Sequence, residues 1–281
     1  MVRTDLVVTL GDRDYAVERP WGELPVGMQL NGSSNVAVDS RNRIYVYQRS
    51  DPPLVIFNED GSYAGSLASG LIGDAHGITI DGNDQIWLID RDAHVIHALD
   101  QAGKVIQSLG VHGRPRFQAP FNHPADIAIA PDGEIYVADG YGNSRVHHFA
   151  ADGTLLGSWG TPGGGDGEFT TPHAVALDSL DRVFVADREN NRIQLFDRRG
   201  EFLEAWGDLY HPMDIYVDPA GMIYVTDQIP RLSLFSPDGL LVGRCRPVLT
   251  GAHGIAGDGQ GNIYLSEMSP RSQVTRLSPI S

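Results

Sequence analysis

Three histidines, His76, His173 and His253, occupy one position of a repeating pattern. Each stands two residues before a short apolar segment, ITID, VALD or IAGD. In the intervening repeats the same position holds Ser34, Ala125 and Met213. Histidine therefore falls on alternate repeats, and in a ring of six such positions are a third of a turn apart. Three imidazoles would converge on the axis, and three protein nitrogens with an open position form the donor set of a catalytic zinc site. One such histidine alone would more simply pack against the Gly or Ala that follows it. Strict alternation over three sites favours one axial Zn2+. No HExxH or CxxC motif occurs, so any metal site must be assembled from remote positions.

Antiparallel pairing would set the end of each second strand beside the start of each first, on the same face as these histidines. The residues there are Arg49, Arg91, Gly140, Arg188, Gln228 and Met268, with Tyr141 following Gly140. A mouth carrying a metal, guanidiniums and a phenol suits an anionic substrate such as a carboxylate. The competing reading is local bracing. Asp90, Asp139 and Asp187 could hold the loops, with Asn143, Arg145, Asn190 and Arg192 as partners, and for Asp187, Asn190 and Arg192 bracing is preferred. Arg49 follows Gln48 rather than an acid, which favours a ligand role. His123 and His211, each before a proline, are expected to cap turns. His94, His97, His147 and His148 fall on third strands and read as surface or inter-blade residues.

The elements that must position these groups are clearest in FTTPHAVALDSLDRVFVADRENNRIQLF, residues 169–196. It reads as three antiparallel strands, the first two apolar on both faces, as in a small sheet packed between two others. A turn at Asp197–Gly200 leads to a fourth strand. First strands recur from Val36, Ile78, Ile127, Val175, Ile215 and Ile255, 40 to 49 residues apart by subtraction. Second strands follow at 44–48, 86–90, 135–139, 183–187, 223–227 and 263–267. Four short strands per repeat over six repeats predict an all-β, six-bladed β-propeller, one closed domain over residues 1–281. The sixth repeat lacks a fourth strand, and DLVVTLG (5–11) is expected to supply it by pairing near 272–278. Long segments at 13–34, 110–126 and 159–173 are expected to form loops over the mouth that bears the histidines.

Bulk properties narrow the function. A net charge of -15 with scattered acids excludes a basic stripe for nucleic acid. One cysteine, Cys245, permits no internal disulfide and suits a reducing compartment. No signal-peptide core or membrane-length apolar run occurs, so a cytoplasmic monomer with no membrane partner is expected. Export by a segment removed before this numbering stays open.

The segments VADGYGNSRV (137–146) and EFTTPHAVAL through VADRENNRIQLF (168–196) resemble the NHL-repeat propeller of peptidyl-α-hydroxyglycine α-amidating lyase. The VAD-x-x-N-x-R-I part is shared by NHL repeats in general. DGYxNSR, PHxxAL followed by ADREN, and the three histidines are more specific. The resemblance implies zinc held by His76, His173 and His253, an active-site tyrosine at Tyr141, and substrate-binding arginines at Arg49 and Arg188. Animal members carry a methionine and an acid around the last histidine, in a pattern like MPHD. This chain has Gly251, Ala252, His253 and Gly254 there, without the acid that a structural Ca2+ would use. Cysteines of the animal enzyme are replaced by Gly142 and Phe184. The implied activity is cleavage of an N-acylated α-hydroxy amine, a small carboxylated carbinolamide, to an amide and an aldehyde acid such as glyoxylate. Two alternatives stand beside it: a metal-dependent hydrolase or hydratase of the same shape, and a non-catalytic NHL binding module. The first would favour carboxylate and Asn ligands around calcium. The second has no need of alternating histidines.

Overall fold

The computed structural model describes residues 6–268 and 271–280. Each second strand lies where the apolar runs place it, from Ile44–Gln48 in blade one to Ile263–Glu267 in blade six. Some first strands start slightly earlier than their apolar cores, as in Ala75–Ile80 and Pro172–Leu177, and so take His76 and His173 into the sheet. Blades one to five are four-stranded meanders, and the sixth sheet unites N-terminal with C-terminal strands, so the ring of the six-bladed propeller is closed. The only helix among the described residues is one 3₁₀ turn at Arg188–Asn190.

The closing strand is not the one expected. Arg13–Trp21 pairs with Gln273–Pro279, matching Tyr15 to Pro279, Val17 to Leu277 and Trp21 to Val274. Leu6–Leu10 adds a fifth, outer strand against 13–17, and Asp5 lies outside the described residues. Burial explains the choice. Tyr15, Val17 and Trp21 are buried, whereas Leu6 and Val7 are 46% and 49% exposed. Arg19 then locks the join by a two-point ion pair, Nε and Nη2 each 2.8 Å from an oxygen of the fully buried Glu267. The mouth loop expected over 13–34 is consequently shorter.

The chain forms two compact units, residues 1–71 with 216–281 and residues 72–215. In the first, Trp21, Val36, Val46, Phe57, Tyr264 and Val274 make one core, and Tyr15, Tyr224, Leu232, Leu234 and Leu265 belong to another. In the second, Trp87, Ile96, Phe121, Val137 and Phe149 fill one core. Tyr136, Phe169, Val185 and Phe196 belong to the next. Each core draws on adjacent blades, which is why first and second strands are apolar on both faces. Burying each such large side chain contributes roughly 1.5–3 kcal/mol.

Candidate active site

The histidines sit where first strands begin. His76 and His173 are inside theirs, His253 immediately precedes Gly254–Gly257, and all three are buried. Each Nδ1 meets a backbone carbonyl at the same repeat position one blade on. His76 pairs with Ala125 O at 2.7 Å, His173 with Met213 O at 2.6 Å and His253 with Ser34 O at 2.7 Å. A carbonyl only accepts, so Nδ1 carries the proton and Nε2 keeps its lone pair. Ligand nitrogens of the three lie within 4.8 Å of one another. The buried His76/His173/His253 triad could bind a metal, because three neutral imidazoles with Nδ1 tied back are the donors a divalent ion of borderline softness takes.

The residue after each histidine is small because the next blade passes close. A Cβ on Gly77 would come within 2.6 Å of Ala125 O, and one on Gly254 within 2.1 Å of Asn35 Oδ1. Asn35 thus fills the space that an acid at 254 would need. Asp126 and Asp214, next to Ala125 and Met213, are buried. Burial, reinforced by Asp214, pushes the Asp126 carboxyl well above the usual carboxylate range, although it accepts the Val175 N–H.

Tyr141 Oη lies 3.0 Å from His76 Nε2 and 3.0 Å from His173 Nε2. One phenol proton faces two lone pairs, an imbalance that a cation on the nitrogens would remove. Arg188 Nη1 donates to the same oxygen at 3.3 Å. The Tyr141 ring also meets two guanidinium carbons, Arg91 at 5.1 Å and Arg188 at 5.9 Å from its centroid. Arg91 is held by Asp74 at 2.7 Å and Asp92 at 3.0 Å, and Arg188 by Glu189 at 3.1 Å.

Buried acids at the ends of the second strands set these loops. Asp139 accepts from the Asn122 N–H, Asn143 Nδ2 and His147 Nε2. Asp187 accepts from the Thr170 N–H, Asn190, Arg192 and Gln194. Burial raises the Asp187 pKa against the opposing pull of Asn190, Thr170 and Arg192. The bracing read from the sequence holds for Asp187 with Asn190 and Arg192. For Asp139 it holds through Asn143 but not Arg145, whose Nε donates to Gln118 Oε1 at 3.1 Å. His147 is wholly buried, held between Asp139 and Ser158.

His123 and His211 sit in turns with left-handed backbone, φ 59° and 46°. The His123 N–H donates to His94 Nδ1 at 3.0 Å, and burial, then His123, lowers the His94 pKa. His211 pairs with Glu189 Oε2 at 3.0 Å. Within residues 72–215 the structure therefore brings together His76, His173, Tyr141, Arg188 and Arg91. Arg49 belongs to the other unit, half-buried at the end of a second strand, with its N–H donating to Gly32 O at 3.1 Å. The carbonyls of Ser34, Ala125 and Met213 escape sequence reasoning, because any residue type supplies one.

Sequence comparison agrees with this architecture. The NHL repeat matches residues 121–149 and 169–196. The chain belongs to the NHL-repeat family of β-propellers, and it is related to amidating lyases of that fold. NHL repeat-containing protein 3 of Mus musculus is 33% identical over 237 residues, 76% of this chain and 68% of that protein. A probable peptidyl-alpha-hydroxyglycine alpha-amidating lyase of Caenorhabditis elegans is 38% identical over 148 residues, 51% of this chain and 42% of that one. Among solved structures, a gluconolactonase of Xanthomonas campestris superposes with a TM-score of 0.73 at 16% identity, covering 96% of this chain and 91% of its own. That likeness is one of fold.

Proposed function

We propose that the protein is a metal-dependent carbon–nitrogen lyase that cleaves a carboxylated N-acyl carbinolamide to an amide and an aldehyde acid such as glyoxylate. The observation that carries this reading is the phenol oxygen of Tyr141, 3.0 Å from two buried imidazole nitrogens and within reach of Arg188. A non-catalytic binding module accounts for the fold but leaves that arrangement without a purpose.

His76, His173 and His253 would hold the ion, proposed as Zn2+, which when bound supplies Lewis acidity toward a hydroxyl oxygen. Tyr141 would take the hydroxyl proton and deliver it to the departing amide nitrogen. The carbon–nitrogen bond breaks as the carbon–oxygen double bond forms, so the proton lost by oxygen is the one gained by nitrogen. Arg188, and Arg49 by family resemblance, would orient the substrate carboxylate through charge-assisted hydrogen bonds. Arg91, on the Tyr141 ring, would fix the phenol plane.

The test combines elemental analysis of protein never exposed to chelator or metal resin with glyoxylate release from N-benzoyl-α-hydroxyglycine. About one divalent transition ion per chain and glyoxylate formation are expected. Metal-free protein would sink the reading, and bound metal without glyoxylate would point to another substrate of the same class.

A further inference from the structure

Residues 111–117 form a run in which every residue is exposed, including His112, Arg114, Arg116 and Phe117, the last at 80%. The run is pinned at both ends to loops that wall the active site. The Gly113 N–H donates to Ala93 O at 2.9 Å, in the loop that carries Arg91. Asn143, two residues beyond Tyr141, donates to Arg116 O at 3.0 Å and Ala119 O at 3.1 Å and accepts from the Gln118 N–H at 2.7 Å. The arm therefore spans from the Arg91 loop to the Tyr141 loop and presents its side chains outward from fixed backbone.

Its arginines differ from their neighbours. In this acid-rich chain Arg91, Arg182, Arg188, Arg192 and Arg198 each hold a carboxylate. Arg114 and Arg116 hold none among the described residues, where only their backbone groups are hydrogen-bonded. Two uncommitted guanidiniums and an exposed phenyl ring on one seven-residue run offer groups for an anion with some hydrocarbon attached. An arm held this way loses little freedom on binding, so its contacts are not spent on ordering it.

We propose that this arm is an outer subsite for a second negative charge, a carboxylate on the acyl side of the substrate, with Phe117 covering the intervening carbon chain. This rests on the lyase reading for the word substrate, but the subsite itself is a binding claim. N-succinylglycine and N-acetylglycine probe it, since neither has the hydroxyl needed for cleavage and they differ by one distal carboxylate. Calorimetry at low salt should give three- to tenfold tighter binding of N-succinylglycine to the intact protein, roughly what one exposed charge-assisted contact supplies. Arg114→Gln with Arg116→Gln should erase the preference, and raising salt should shrink it in the parent. Equal affinities in the parent, no binding of either ligand, or a preference that survives the double substitution would each overturn the subsite. Because no turnover is read, an inactive lyase assay does not cloud the result.

Discussion

Blades three and four build the same brace and hang different chemistry on it. In each, a buried aspartate ends the second strand, accepts a backbone N–H from the preceding loop, and is gripped by an asparagine and a third-strand side chain. From that brace blade three projects Tyr141 and blade four projects Arg188, and the two meet at 3.3 Å. The third-strand partner is His147 in one and Gln194 in the other, facing Val137 and Val185 at the same register. The acids are thus scaffold and the residues just beyond them are reagents. Mutating the two kinds of position should give different phenotypes.

The largest effect should come from Tyr141→Phe. It removes only the proton-carrying oxygen, so kcat should fall by about 10²–10⁴-fold with fold and metal content intact. Parent-level turnover in that variant would remove Tyr141 from the chemistry. Next come the braces. Asp139→Ala and Asp187→Ala each strand several buried donors, and each should cost about 2–3 kcal/mol in urea unfolding. Similar losses would bear out the equivalence of the two blades, whereas a loss in one alone would break it. The smallest effect concerns pH. The Asp187 pKa is raised in the folded state, so its contribution is fully present below the unfolded carboxylate pKa and is lost as pH rises through the folded value. Asp187→Asn should therefore show a shallower fall in Tm than the parent as pH climbs from about 4 toward neutrality. Parallel Tm–pH curves would mean that Asp187 titrates normally.

Much of this was legible in residue order. Second strands such as IYVAD and VFVAD end on their acids with no slippage, because a short run buried on both faces is bounded by the polar turns at its ends. Tyr141 and Arg188 followed from their offset to those acids. The strand 13–21 is hidden because its charged residues, Arg13, Asp14, Glu18 and Arg19, and Pro20 dilute the apolar signal of Tyr15, Val17 and Trp21. LVVTL carries the stronger apolar signal, yet as the outermost strand it has little to bury against. Arg145 stands where Arg192 stands in the next blade, but Gln118 in a long loop takes its Nε–H in place of Asp139. Long-range polar partners of that kind leave no trace in local spacing.

The tether from each histidine to the following blade has a consequence for parity. Structurally the ring repeats every blade, but chemically it repeats every two, one blade giving the imidazole and the next the carbonyl. Such an alternation closes only on an even count. Adding or deleting a single blade would set two imidazole-bearing or two imidazole-free positions side by side and break the even spacing of the three histidines. Six is therefore the ring size at which strict alternation yields three imidazoles.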